Sequence, residues 1–385
     1  MISRLVASLA FCLWIGGFAG GAEPLSPVAA RMQQFVEDKT VSGAVTLVAR
    51  HGKVVHLKAV GLADIEAQRA MQPDSLFWIA SMTKPITATA VMILQDQGKL
   101  SVADPAGKYI PELNSVTVTG GGPPKRPVTI ADLLSHTSGV ANPAADSLGA
   151  NPTLAEISLA ISKQPLQFEP GSQWKYGSGL TAAGRIVEIV SGQPFDAFLE
   201  EQIFRPLGMK DTTFYPTSEQ RQRLAIIYRF DKETQRLLPA TSALNAEPKM
   251  ERRAPNPSGG LCSTASDYYR FYQMILSGGK LDGPRIVSAA AIKQMTAIHT
   301  GELKAGFSPG MSWALGWGVV REPTAPNAML PVGSYGHGGA YGTIGWIDPQ
   351  HDAVLVLMIA RSDMNPAQES GIRGAFQQIA VEQLK

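Results

Sequence analysis

Cysteine is nearly absent. The 385-residue chain carries two, at positions 12 and 262. Cys12 falls in a segment expected to be removed, so no intramolecular disulfide can staple the remainder, which has to hold through its core alone. Charge is also sparse, at 17% of residues against about 25% in an ordinary soluble domain. Lys and Arg number 34 and Asp and Glu 32, a balance of +2 that is too even for a nucleic-acid binder working by phosphate neutralisation. No block of five like charges marks a charged tail, and no apolar run of about 18 residues marks a membrane-spanning helix. The histidines at 51, 56, 136, 299, 337 and 351 form neither H-x-x-x-H nor H-E-x-x-H, and no dinucleotide or Walker fingerprint occurs. No metal and no cofactor is implied.

Apolar residues, by contrast, make up 44% of the chain and run along all of it. A core is therefore assured and disorder is excluded. The length fits two domains, or one domain with a large insertion. Arg4 followed by the apolar stretch Leu5 to Ile15 and the small residues up to Ala22 reads as a secretory leader. Residues 1–22 are expected to be cleaved after Ala22, giving an exported, periplasmic or secreted protein with no membrane span. The rival reading is an uncleaved anchor. A lipid-anchored form through Cys12 is disfavoured because Phe11 stands where a small residue is expected.

Hydropathy patterning predicts a helix over 25–38. It then predicts a hairpin, 44–48 and 54–57, around His51-Gly52-Lys53, and a second near the far end, 341–347 and 353–359. A helix over 371–384 closes the chain. Strands near both termini imply one sheet built from both ends. Between them, helices are predicted at 130–135, 154–162, 180–191 and 196–203, the last stopped near Pro206. The expected organisation is an α/β (α+β) domain of 23–110 and 250–385, with an inserted, mostly helical subdomain at 111–249.

Three short motifs carry chemistry. Ser81-Met82-Thr83-Lys84 opens an apolar helix over 85–94 that ends near Gly98. Pro85 suits its first turn, and Ser81 and Lys84, three apart, share one face. A hydroxyl becomes a nucleophile when a base takes its proton, and a buried lysine can be that base if its pKa falls toward neutrality. Tyr176-Gly177-Ser178 lies on a loop before the helix over 180–191, where a tyrosine held partly as phenolate by a nearby cation could be a general base. Tyr335-Gly336-His337-Gly338-Gly339-Ala340 has the glycines that let a ligand approach a strand, and a free N–H there could complete an oxyanion hole with that of Ser81.

The ordered set S-x-x-K, Y-x-S and H-G-G resembles the serine β-lactamase and penicillin-binding-protein superfamily. Leu133-Leu134-Ser135-His136-Thr137-Ser138-Gly139, Pro206-Leu207-Gly208-Met209 and the run from Gly259 to Ala265 are similar to its class C branch, which includes β-lactamases, D-Ala-D-Ala carboxypeptidases, D-aminopeptidases and family VIII carboxylesterases. The resemblance spans about Val41 to the C-terminus. It implies an antiparallel sheet flanked by helices. It further implies Ser81 as acylated nucleophile, Lys84 and Tyr176 as proton-transfer pair, and the N–H groups of Ser81 and Ala340 as oxyanion hole. Ser178, His337, Gly338 and Gly339 fall at substrate-binding positions. There the sequence departs from class C β-lactamases, which usually carry Asn, Lys and Thr where Ser178, His337 and Gly338 stand. A neutral His and a Gly offer less charge and fewer donors to a substrate carboxylate. The implied function is a carboxylesterase acting on small neutral esters, with slow β-lactam turnover as a side activity. The alternatives are a class C-type β-lactamase or peptidase, for which Arg361 is the candidate cation by position, and a non-catalytic binding protein on the same fold. The expected partner is a small ester or amide substrate.

One competing motif remains. Gly306-Phe307-Ser308-Pro309-Gly310 matches G-x-S-x-G, the nucleophile elbow, which needs a strand before it and a helix after it. Neither is predicted here, and Pro309 disfavours helical geometry at Ser308. His136 is expected to fix a loop or pack near the site, and Cys262 to be a small buried hydrophobe.

Overall fold

The computed structural model describes residues 26–143, 148–149, 151–241 and 253–384. The expected leader lies outside them. The first helix, α1 (Pro27–Glu37), is capped by Ser26, whose side chain accepts from the Ala29 N–H. Strands β1 (Gly43–Arg50) and β2 (Lys53–Asp64) follow as a hairpin. Its turn places His51 and Gly52 at positive φ, the backbone a tight hairpin of this twist needs. Next come β3 (Arg69–Ala70), β4 (Phe77–Trp78), a short 3₁₀ turn at Ala80–Met82, and α2 (Thr83–Asp96).

The middle of the chain holds α3 (Ile130–Ser135), α4 (Leu154–Ser162) and α5 (Gly179–Ser191), all close to expectation. The helix expected over 196–203 is Phe195–Leu199, running on as a π turn to Phe204. This segment also carries an unexpected hairpin, β5 (Tyr228–Asp231) with β6 (Arg236–Pro239).

After β7 (Cys262–Ser263) come two helices that the sequence reading missed, Ala265–Leu276 and Ala289–Thr296. The short strands β8 (Met311–Trp313) and β9 (Gly318–Val320) were missed too. The late hairpin is β11 (Ile344–Asp348) with β12 (Ala353–Met358). Residues 341–343, expected to open its first strand, instead belong to the turn over 339–343 that joins β10 (Tyr335–Gly338) to β11. The Gly339 N–H donates to the Thr343 carbonyl at 2.7 Å, which closes that turn. The last helix starts earlier than expected, at Pro366, because Asn365 and Gln368 form a reciprocal cap there.

Eight strands form one antiparallel sheet in the order β3-β2-β1-β12-β11-β10-β9-β8. The first long strand therefore pairs with the last, Val45 opposite Met358 through Arg50 opposite Ala353. Strand β12 is apolar on both faces, as a central covered strand must be. Val354, Val356 and Met358 face the core shared with α2 and Ala265–Leu276. Ala353, Leu355 and Leu357 face the second core, under α1 and Pro366–Glu382.

Beside the large sheet, β4 pairs with β7, Trp78 opposite Cys262, and the Ile79 N–H donates to the Leu261 carbonyl. This two-stranded ribbon delivers the chain into the turn at Ala80–Met82. Cys262 is fully buried there and burial pushes its thiol pKa up.

Helices α3 and α5 touch where Gly179 opens α5. A Cβ at Gly179 would lie 2.2 Å from the Leu133 carbonyl oxygen. Replacing Gly179 by Val overpacks that contact, a change that typically costs about 1–3 kcal/mol. We expect a lower urea midpoint with an unchanged denaturant slope.

Candidate active site

Ser81 lies in the 3₁₀ turn just ahead of α2, with Lys84 in the helix's first turn. Ala80 holds φ at 45°, an unfavourable backbone for a residue with a Cβ. Such strain persists only where the surroundings enforce it. Here the ribbon β4–β7 on one side and the Tyr268 hydroxyl, which donates to the Met82 carbonyl at 2.8 Å, hold the turn.

Lys84 is buried to 2% exposure. Its Nζ lies 3.2 Å from Ser81 Oγ and donates to the Ser258 carbonyl at 2.6 Å. It also sits 4.5 Å from the centre of the Tyr176 ring. Burial lowers its pKa to about 7, because the charged form loses its hydration. Tyr176 differs from expectation. It hydrogen-bonds with Ser81, but burial dominates and pushes its pKa up. It is therefore a protonated phenol at neutral pH, not the partial phenolate envisaged. The neighbouring lysine faces its ring, and a phenolate would need hydration that the site excludes.

The Tyr176 loop is held by the segment at 135–139. His136 adopts the left-handed conformation, φ 61°, at the end of α3. Its carbonyl accepts from the Lys175 N–H at 2.9 Å and its Nδ1 from the Gly177 N–H at 3.3 Å. Those two bonds bracket Tyr176, whose ring packs 4.4 Å from the imidazole. Because Nδ1 accepts, Nε2 carries the proton. Burial, with Lys84 and then His337 adding to it, keeps His136 neutral. The segment is fastened further down: Arg126 makes two bonds to Asp132, at 2.6 and 2.8 Å, and Thr137 donates to the same carboxylate.

On the facing side, β10 and the turn after it bring His337, Gly338, Gly339 and Ala340 to the cavity that Ser81 and Tyr176 also line. Gly339 packs against the backbone just before Ser81. A Cβ there would lie 2.5 Å from the Ile79 carbonyl oxygen and 2.2 Å from Thr343 Oγ1. Among the described residues, the Ala340 N–H has no backbone acceptor.

His337 is buried, and its Nδ1 lies 2.7 Å from the Gly338 carbonyl oxygen. A carbonyl only accepts, so Nδ1 carries the proton and Nε2 is a lone pair. That Nε2 is buried with no partner among the described residues. Burial first, then Lys84, lowers the His337 pKa to about 3.

Two substrate-side expectations change. Ser178 donates its hydroxyl to Asn142 Oδ1 at 2.6 Å and is not among the residues lining the cavity. Arg361, the cation expected by position, points elsewhere. It pairs with Asp363 at 2.5 Å, bonds to the Thr40 carbonyl and lies over Phe230.

The cation in the cavity wall is Arg373, on Pro366–Glu382. Its guanidinium occupies the space beside Gly338, with Nη2 3.4 Å from where a Cβ would be. It is bound to Glu369 at 3.2 Å and to the Gly339 carbonyl at 3.2 Å. The one sequence sign of it was the i, i+4 spacing of Glu369 and Arg373, which is common to many surface helices. Ser308 is not at a nucleophile elbow: residues 303–310 are irregular, a strand follows, and its Oγ accepts from Asn327. Among the described residues no cluster of three or more potential ligands could hold a metal ion, and no helix is long and apolar enough to cross a membrane.

A mixed sheet-and-helix fold with a buried lysine beside a serine that follows a strained backbone residue is the arrangement of a serine acyl-transfer hydrolase. Residues 28–379 match the family described as Beta-lactamase, and the chain belongs to that family of serine hydrolases. Esterase EstB of Burkholderia gladioli is 32% identical over 345 residues, covering 82% of this chain and 85% of that one. The D-alanyl-D-alanine-carboxypeptidase/endopeptidase AmpH of Escherichia coli K12 is 31% identical over 310 residues, 76% of this chain and 73% of that one. Among solved structures, EstCE1, a hydrolase with promiscuous acyltransferase activity, has the same fold. Its TM-score is 0.78 at 24% identity, over 91% of this chain and 97% of that one.

The close approach at Gly339 sets the distance between the two halves of the site. Gly339→Ala should push the His337–Ala340 segment off the Ser81 turn. A misplacement of about 1 Å costs on the order of 100-fold in rate. We expect such a fall in kcat with an unaltered circular dichroism spectrum; wild-type turnover would show that the contact is dispensable.

Proposed function

We propose that this protein is an exported carboxylesterase acting on neutral esters through an acyl-enzyme on Ser81. The observation that carries this reading is the state of His337. The wall position beside Gly338 holds a buried, neutral imidazole, which offers a substrate carboxylate no positive charge. The nearby Arg373 is matched by Glu369, so the wall has no net charge to offer an anionic substrate. The leader-like pattern at 1–22 supports export.

In the proposed reaction, Ser81 Oγ attacks the ester carbonyl and its proton passes to neutral Lys84. Tyr176, protonated and bonded to Ser81, relays a proton to the departing alkoxide. The N–H groups of Ser81 and Ala340 face the developing oxyanion, and the N-terminus of α2 favours the same charge. Water then attacks the acyl carbon, the acid leaves, and Ser81 regains its proton. A β-lactamase or peptidase reading needs Arg373 released from Glu369; AmpH, a peptidase, is the relative that favours it.

Paired assays test this. The purified protein should hydrolyse p-nitrophenyl butyrate far faster than nitrocefin, and Ser81→Ala should lower ester turnover by about 10⁴-fold or more. The reverse ranking makes β-lactamase the better name, and activity surviving in Ser81→Ala removes the nucleophile. Lys84 must be unprotonated to accept, so ester kcat/KM should rise with pH through a midpoint near 7. A rise only in the ordinary lysine range would overturn the lowered pKa assigned to Lys84.

A further inference from the structure

The loop that carries the unused G-x-S-x-G motif lies over the mouth of the cavity. Phe307, at 72% exposure, is the only aromatic among the exposed large hydrophobic residues described. A phenyl ring so open to water forfeits the burial that ordinarily decides where phenylalanine goes. Yet the loop is tied down. Arg321 donates to the Gly301 carbonyl at 2.8 Å, and the Gly310 carbonyl accepts from the N–H groups of Arg321 and Glu322. Thr324 donates to the Pro309 carbonyl at 2.6 Å, and Asn327 to Ser308 Oγ at 3.4 Å. Gly306 and Gly310 take positive φ on either side of the ring. Phe307 is thus held out over the site by its neighbours.

What it overhangs is aromatic. Its ring centre lies 4.9 Å from that of Tyr176, 5.7 Å from Trp174 and 5.9 Å from Trp313, edge-to-face in each case. Tyr176 in turn bonds to Ser81. The cavity of about 530 Å³ is lined by the Phe307, Tyr176 and Trp313 rings and continues past Ser81 to Trp346 and Arg373. It has room for a bicyclic ring system as well as an ester. Rings presented edge and face to one open space match the quadrupole of a flat aromatic group.

We propose that Phe307 is a specificity-determining residue, forming with Trp313 and Tyr176 a cradle for a flat aromatic group of an ester substrate, with Trp174 packed against it from outside the cavity lining. The Ser308 hydroxyl serves as an anchor for the loop that presents this ring. The inference rests on the esterase reading and deepens it to aryl-bearing esters.

The test compares wild type, Phe307→Ala and Phe307→Trp on 2-naphthyl butyrate, ethyl 2-naphthoate and ethyl butyrate. Phe307→Ala should raise KM for one or both naphthyl esters by about 3- to 10-fold, the worth of one aromatic pair. Its kcat should hold, KM for ethyl butyrate should not move, and Phe307→Trp should restore the naphthyl KM. Equal changes on all three esters, or none on any, would overturn the proposal. Should the wild type turn over no ester, calorimetric titration of Ser81→Ala with 2-naphthyl butyrate still decides. The proposal stands if binding weakens on adding Phe307→Ala and falls if it does not, while the esterase reading fails by itself.

Discussion

An ammonium group buried away from water is among the least favourable things a fold can enclose, and this one encloses Lys84 (2% exposed). The protein can do so because the lysine need not be charged: near pH 7 the proton is given up for little free energy. Each neighbour fits that condition. The Ser258 carbonyl accepts from Nζ, Ser81 lies within bonding distance, and a tyrosine ring closes the third side. These come from the segment before β7, from the turn ahead of α2 and from the loop before α5. The same dryness that loosens the lysine's proton tightens that of Tyr176 and strips those of His136 and His337. One condition, exclusion of water, thus sorts four titratable groups into a base, an acid and two neutral imidazoles.

The wall opposite is a study in compensation. A glycine at 338 leaves a space, and a guanidinium from the C-terminal helix enters it. That charge arrives already matched by Glu369 and by carbonyl oxygens, so the cavity gains donors without gaining a field. Together with the neutral imidazole of His337, this gives a surface that is polar in detail and uncharged in sum.

Local patterns in the sequence carried much of this. The hairpin at His51-Gly52, helices α3 to α5, the two-ended sheet and the three motifs were legible, because each rests on turn chemistry, periodicity or short spacing. Features set by distant contacts were not. Ala265–Leu276 mixes tyrosines with polar residues, and its helical register shows only once Tyr268 and Tyr272 have partners at Met82 and Gly345. Strands β8 and β9, three residues each, are too short for alternation to register. Arg361 and Arg373 look alike in sequence; the sheet edge and the helix direction decide that the first faces Asp363 and the second the cavity. The phenolate expectation for Tyr176 failed for the same reason, since burial is a property of the whole packing.

The pairing of β1 with β12 has a consequence for how the molecule comes into being. Some three hundred residues separate Val45 from Met358, and closing so long a loop is slow and unrewarded until both ends are present. A chain emerging N-terminus first therefore leaves the ribosome with its first hairpin lacking a neighbour on the side that β12 will fill. The turn carrying Ser81 likewise waits for the segment carrying Gly339. No partial product of translation holds an assembled site, and catalytic competence arrives only with the last strand and helix.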